Sequence, residues 1–337
     1  MFSLSKLQFE IELLDHDAPA GYWGSRLRGG YGDMLLAECG GQQELFQRLF
    51  KPHRDLFERP PVGPPLGGNR DLPPPFVIDP PLESEQKLPR GGRLSFGFVA
   101  LGPTLSRMEN VIEAFARLGT VGIENRERQA HYRLLDVLDL LGGGRSLRLH
   151  ELNGQPIVRD VARLISEMLP PVAPDEMLIS FTTPVRIMRA GFPPLEALTE
   201  AGAAPLGQRL EAGRARQRQM PKGMRDFYEM ILALSDRVGG LWQIYGREWP
   251  GKDEFRQWRQ HLLQAARRVE LLHLALEKRS YLRYSASQRK YLPVEGFVGT
   301  MHLSGDFAPL MELLLIGELI HLGEATAYGF GQYNIIY

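Results

Sequence analysis

Eight histidines are the side chains of this chain best suited to move protons near neutral pH, because the ordinary imidazole pKa is about 6.5. His53 stands out by its neighbours. It lies in Lys51-Pro52-His53-Arg54, in a loop rather than on an apolar stripe. An imidazole flanked by cations can transfer a proton at an anionic centre. A surface histidine in a turn after proline is the plainer reading of the same residues. His16 comes second, between Asp15 and Asp17, acids that favour the protonated ring but repel an anion. His321 ends an apolar stretch, where a buried structural role fits. His261 and His273 fall in a basic region, and His131, His150 and His302 stand without evident partners. No spacing assembles three metal ligands. The single cysteine, Cys39, excludes an intrachain disulfide and a multi-cysteine zinc site. No metal and no cofactor are expected.

The cations are unevenly placed. The formal net charge is zero, yet Arg209 to Lys290 holds 18 Lys and Arg against 9 Asp and Glu. One nucleic-acid-facing surface would give that pattern, and so would a solvated, arginine-rich helix face. Arg214, Arg216, Arg218 and Lys222 form one basic run. Arg283, Arg289 and Lys290 interleave with Tyr281, Tyr284 and Tyr291. Guanidinium groups beside aromatic rings suit phosphate contact with base stacking; ordinary charges on a sheet edge are the alternative. Arg26 and Arg28 add two cations to the first helix. The stretch from His321 to Tyr333 contains Gly323, Gly329 and Gly331. Glycines can lay bare backbone N–H groups against a phosphate, or can simply make a tight turn from helix to strand.

These residues hang on elements that alternate regularly. In Lys6–Leu14 the apolar residues recur at every second position, predicting a half-buried strand. Helices are predicted over Trp23–Glu38 and Gln42–Phe50. Residues 59–92 are rich in proline and glycine and read as a long extended connection, with one strand hidden in it. Arg93–Leu101 reads as a strand, Leu105–Leu118 as an amphipathic helix, and Glu127–Val137 as a strand. The order is βαββαβ, a ferredoxin-like (RRM-like) pattern. Glu176–Met188 opens a second set. Helical segments follow over Leu206–Gln219, Pro221–Tyr245 and Asp253–Lys278. A strand is predicted at Phe297–Ser304, and an apolar helix at Pro309–Leu322 with Asp306 as N-cap and Gly323 as C′ residue. A last strand covers Tyr328–Tyr337. The predicted fold is α+β: a first ferredoxin-like domain over residues 1–165 and a second over 170–337. The second carries a helical insertion at about 206–280 and the glycine-rich loop at 321–333.

The length, 337 residues, suffices for two domains with their own cores. Met-Phe-Ser-Leu-Ser-Lys lacks a basic start before an apolar core, so no signal peptide is expected. The longest apolar run, Leu310 to Leu322, is broken by Glu312, Gly317, Glu318 and His321, so no membrane span is expected. A cytoplasmic location follows as an expectation. The oligomeric state is not legible.

The C-terminal loop resembles the glycine-rich signature of the RAMP superfamily of CRISPR-associated proteins. Arg283-Tyr-Ser-Ala-Ser-Gln-Arg289, Gly296-Phe-Val-Gly299, Gly305-Asp306 and His321-Leu-Gly323 resemble the C-terminal half of endoribonucleases that process precursor CRISPR RNA. Phe181-Thr-Thr-Pro-Val-Arg186, Leu27-Arg-Gly-Gly30 and Asp55-Leu-Phe-Glu58 resemble further family segments. The likeness is weak over residues 59–165. The family commonly has lysine where Glu324 stands. The resemblance implies metal-independent cleavage within CRISPR repeats: a ribose 2′-hydroxyl attacks the adjacent phosphate. It implies a catalytic histidine on or just after the first helix, matching His53, with Tyr31 as the helix tyrosine and Lys51 as the cation. It makes CRISPR repeat RNA the partner, with the product retained by the enzyme. A RAMP subunit that holds CRISPR RNA among other effector subunits without cutting is the alternative.

Overall fold

Alternation along the first strand sets up the first domain. In β1 (Ser3–Leu13), Leu7, Phe9, Ile11 and Leu13 are buried, while Gln8, Glu10 and Glu12 between them are only half-buried. The computed structural model describes residues 1–15, 22–38, 43–57, 72–82, 89–124, 129–147, 156–187, 227–285 and 290–337. After β1 come α1 (Trp23–Glu38), α2 (Gln43–Phe50), β2 (Phe76–Asp79), β3 (Arg93–Leu101) and α3 (Met108–Val121). A two-stranded ladder of β4 (Ile123–Glu124) and β5 (Gln129–Ala130) precedes β6 (Tyr132–Asp139), β7 (Arg145–Ser146), β8 (Arg159–Asp160) and α4 (Val161–Met168). The sheet order is β2-β3-β1-β6-β7, with β8 on β1 and every pairing antiparallel. Its first four strands have the ferredoxin-like arrangement. The strand expected inside the proline-rich connection is β2.

The second domain repeats this order. Its elements are β9 (Glu176–Val185), α5 (Phe227–Tyr245), α6 (Lys252–Ala266), β10 (Glu270–Ser285), β11 (Lys290–Ser304), α7 (Met311–Ile320) and β12 (Tyr333–Ile336). The sheet runs β10-β11-β9-β12, again antiparallel. Of the expected helical insertion, Leu206–Gln219 lies outside the described residues, α5 covers the described part of Pro221–Tyr245, and the third segment needs correction. Its helix ends at Ala266, and residues from Glu270 belong to β10, which pairs with β11 along its length. Leu271, Leu274 and Leu276 are half-buried against the second core, so tertiary pairing overrides a helix-compatible pattern. The start of α7 also differs. Leu310 is its N-cap, and Asp306 instead accepts from the Ala308 N–H at 3.0 Å. The residue closing α7 with positive φ is His321, at 63°.

Two cores share the first sheet. Leu7, Phe9 and Ile11 of β1 pack with Phe96 and Phe98 of β3 under α1 and α3. On the opposite face, Phe2, Leu4, Val77, Val99 and Leu101 join the core of the second domain, which also contains α4. The domains are therefore welded by apolar burial rather than tethered. Among the described residues no helix is long and apolar enough to cross a membrane.

Candidate functional site

Two of the segments that carry the family resemblance meet in space. The glycine-rich loop lies along the end of β9. The Gly331 N–H donates to Pro184 O at 2.9 Å, Glu324 N–H to Arg186 O at 2.8 Å, and Thr182 N–H to Gln332 O at 3.0 Å. The Thr183 hydroxyl donates to Gly329 O at 2.7 Å and accepts from Gln332 N–H at 2.8 Å. The Gly329 amide donates to Thr326 O. The expectation that Gly329 and Gly331 offer their amides to RNA is thereby corrected: Gly329 serves a carbonyl of the loop itself and Gly331 the Pro184 carbonyl of β9. A Cβ on Gly329 would meet Pro80 Cδ and Ile78 O of the first domain, so this glycine permits the domains to touch. Gly323 packs on the Arg186 carbonyl in the same way. Glu324, where the family commonly has lysine, lies 3.6 Å from Arg186; burial raises its carboxyl pKa and Arg186 opposes that.

Beneath the loop is a buried charge cluster that no sequence pattern announced. Asp79, at the end of β2 and 10% exposed, takes Lys6 Nζ at 3.0 Å and His321 Nε2 at 2.9 Å. The other His321 nitrogen, Nδ1, faces Phe330 O at 3.1 Å. Burial alone would raise the Asp79 pKa, but Lys6 and His321 together hold it well below the usual carboxylate range. His321 has no exposed surface, so it is a structural group. Arg237 of α5 closes α7 from the other side. Its Nε donates to Ile320 O and His321 O at 3.0 and 2.9 Å, and its Nη2 to Ile320 O at 2.7 Å. Burial lowers its pKa to about 10, which leaves it cationic beside the negative end of a helix.

His53 lies three residues beyond α2. Its side chain is 25% exposed, its Nδ1 is 3.1 Å from Asp55 Oδ2, and the Asp55 N–H points to the same nitrogen at 3.3 Å. The Asp55 N–H donates to Nδ1 and so orients the ring, with the exposed Asp55 carboxylate beside it. The acid two residues after the histidine was the legible signal for this pair. Lys51 is exposed, and its own N–H closes α2 on Gln47 O. The segment is held on both sides: the Arg28 guanidinium donates to Phe50 O at 3.2 Å, and Leu72 N–H donates to Pro52 O at 2.9 Å.

Tyr31, expected beside His53, is corrected to a core residue. It has no exposed surface and is ringed by Phe50, Phe76, Phe98 and Phe115 at centroid distances of 5.1 to 5.6 Å. From there its hydroxyl cannot touch an RNA. Its ring supports Phe50, and through it the chain leading to His53. Arg26 is half-buried on α1. Arg283 and Lys290 sit near the end of the β10–β11 hairpin, opposite Leu292 and Ser285. Arg214, Arg216, Arg218, Lys222, Arg289, His16 and His150 lie outside the described residues. His131 is tied to Asp15 at 2.7 Å, and His302 lies 3.3 Å from Glu176. Among the described residues no group of three or more His, Cys, Asp or Glu is placed to hold a metal ion.

No curated protein matches the chain. An N-terminal domain model matches residues 2–160, and the model for the CRISPR-associated endoribonuclease Cas6 matches residues 179–333. Among solved structures, a Cas6 product complex aligns over 99% of this chain and 100% of that one, with TM-score 0.53 and 17% identity. A partial Cas6-RT-Cas1–Cas2 complex aligns over 100% of this chain and 46% of that one, with TM-score 0.55 and 12% identity. Thermus thermophilus Cas6 aligns over 100% and 99%, with TM-score 0.48 and 15% identity. The first two likenesses place the fold with the tandem ferredoxin-like proteins. Residues 179–333, somewhat under half of the chain, match the Cas6 endoribonuclease family, and that match supports a CRISPR-associated RNA-processing protein of the RAMP type.

Proposed function

We propose that the protein cuts precursor CRISPR RNA within its repeats by attack of a ribose 2′-hydroxyl on the adjacent phosphate. The products are a 2′,3′-cyclic phosphate and a 5′-hydroxyl, and no metal takes part. The attacking hydroxyl loses a proton and the departing 5′-oxygen gains one. His53, oriented by Asp55, handles one of these transfers through Nε2. Lys51 holds charge on the phosphate as it builds. Arg26, Arg283, Lys290 and the basic run with Arg214, Arg216, Arg218 and Lys222 serve RNA binding, and the product stays bound. The observation carrying this reading is the part-exposed His53–Asp55 pair two residues after Lys51, on the segment that follows α2 and whose Phe50 carbonyl is held by Arg28. The solved neighbours named as a Cas6 product complex and a Cas6-RT-Cas1–Cas2 complex support repeat RNA and other CRISPR proteins as partners.

A non-cutting RNA-binding subunit is favoured by two observations: Tyr31 is buried, and Glu324 with Arg186 replaces a free cation. The deciding experiment incubates the protein with a transcript of its cognate repeat in excess EDTA and maps the ends. One cut with a cyclic phosphate supports the enzyme. Tight binding with no cut, with or without added magnesium, sinks it in favour of the subunit; a cut seen only with added metal would overturn the proposed mechanism.

A further inference from the structure

Helix α1 serves two masters by its spacing. Trp23, Leu27 and Tyr31, four apart, enter the first core. Gly24 and Arg28, also four apart, face the second domain. A Cβ on Gly24 would fall on Tyr328 O, so helix and loop touch backbone to backbone there. One turn later the Arg28 guanidinium carbon lies 4.3 Å from the centroid of the Tyr328 ring and 5.2 Å from that of Phe50. Its Nη2 donates to Phe50 O, a carbonyl in the last turn of α2. Such carbonyls lack intrahelical partners and need a donor. A guanidinium between two ring faces is held by cation–π attraction on each. The fork thus joins three parts: Tyr328 of the glycine-rich loop, α1, and the end of α2 from which Lys51 and His53 project.

We infer that Arg28 is a positioning residue, not a phosphate ligand: it couples the placement of His53 and Lys51 to the seating of the second domain through Tyr328. The inference rests on His53 being the proton-transfer group. Lysine in place of Arg28 keeps the charge but loses the planar fork and its simultaneous stacking and donation.

The test measures single-turnover cutting of the cognate repeat transcript, its dissociation constant, and the salt dependence of binding. The proteins compared are wild type, Arg28→Ala, Arg28→Lys, Tyr328→Leu and Arg28→Ala/Tyr328→Leu. Arg28→Ala and Arg28→Lys should both cut about tenfold more slowly or worse, since small displacements of reacting groups are costly. Affinity should stay within about twofold, with an unchanged salt slope. Tyr328→Leu should reproduce the rate loss, and the double variant should be no slower than Arg28→Ala, because both remove one coupling. If Arg28→Ala does not fold, Tyr328→Leu carries the test alone. A wild-type rate in Tyr328→Leu overturns the inference. So does Arg28→Lys restoring the rate while Arg28→Ala weakens binding and lowers the salt slope by about one, the mark of a phosphate contact. His53→Ala separates the layers. If it cuts like wild type, the reading of the site fails; if it is dead while Arg28→Lys and Tyr328→Leu cut normally, only the positioning inference fails.

Discussion

Asp79→Asn removes the carboxylate that Lys6 and His321 share, with almost no change of shape. Wild-type Asp79 lies 3.0 Å from Lys6 Nζ and 2.9 Å from His321 Nε2, and it is 10% exposed while Lys6 is 19% exposed. Breaking a buried pair by deleting one partner costs about 3–5 kcal/mol. The partial exposure of Lys6 selects the lower end, about 3 kcal/mol. With an unfolding entropy of about 2.1 cal/mol/K per residue, the welded chain has roughly 0.7 kcal/mol/K, so Tm should fall by about 4 °C. Calorimetry at pH 7 measures this directly. The pH dependence has a definite sign. The Asp79 pKa is held below its unfolded value of about 3.9, so its contribution is complete above that pH and is lost as pH falls through and below it. The gap between variant and wild type should therefore persist from about pH 7 to 5 and close below about pH 4. A Tm within about 1 °C of wild type at pH 7, or a gap that stays constant below pH 4, would refute the reasoning.

Other perturbations have equally definite outcomes. Gly24→Ala forces a methyl into the Tyr328 carbonyl and should cost about 1–3 kcal/mol in urea denaturation, because neither backbone can yield without separating the domains. Arg237→Ala strips the Ile320 and His321 carbonyls of a charged donor and should cost about 1.5–3 kcal/mol; an unchanged midpoint would mean water replaces it. His53→Ala should slow cutting by about 100-fold or more while the repeat transcript binds within about twofold of wild type.

Much of this architecture was legible in the chain itself. The period-two alternation of β1, the apolar stripe of α3 and the repeated order of elements report which faces must leave water, and each is a local property. The glycine-rich loop and His53 with Lys51 and Arg54 were legible too, because glycine and histidine differ chemically from their neighbours. Tertiary contacts decided the rest. Only the three-dimensional structure shows Leu271–Leu276 drawn into β10 by pairing with β11, although their spacing suits a helix. Tyr31 reads as a helix tyrosine near a histidine, but whether its hydroxyl meets solvent depends on four phenylalanines from α2, β2, β3 and α3. Arg28 reads as a phosphate ligand until Phe50 and Tyr328, 22 and 300 residues away in sequence, close around it. Lys6, Asp79 and His321 carry no common motif. Their charges interact only because the first sheet buries its second apolar face in the core of the second domain, and strong electrostatic coupling at that seam requires the exclusion of water that this burial creates.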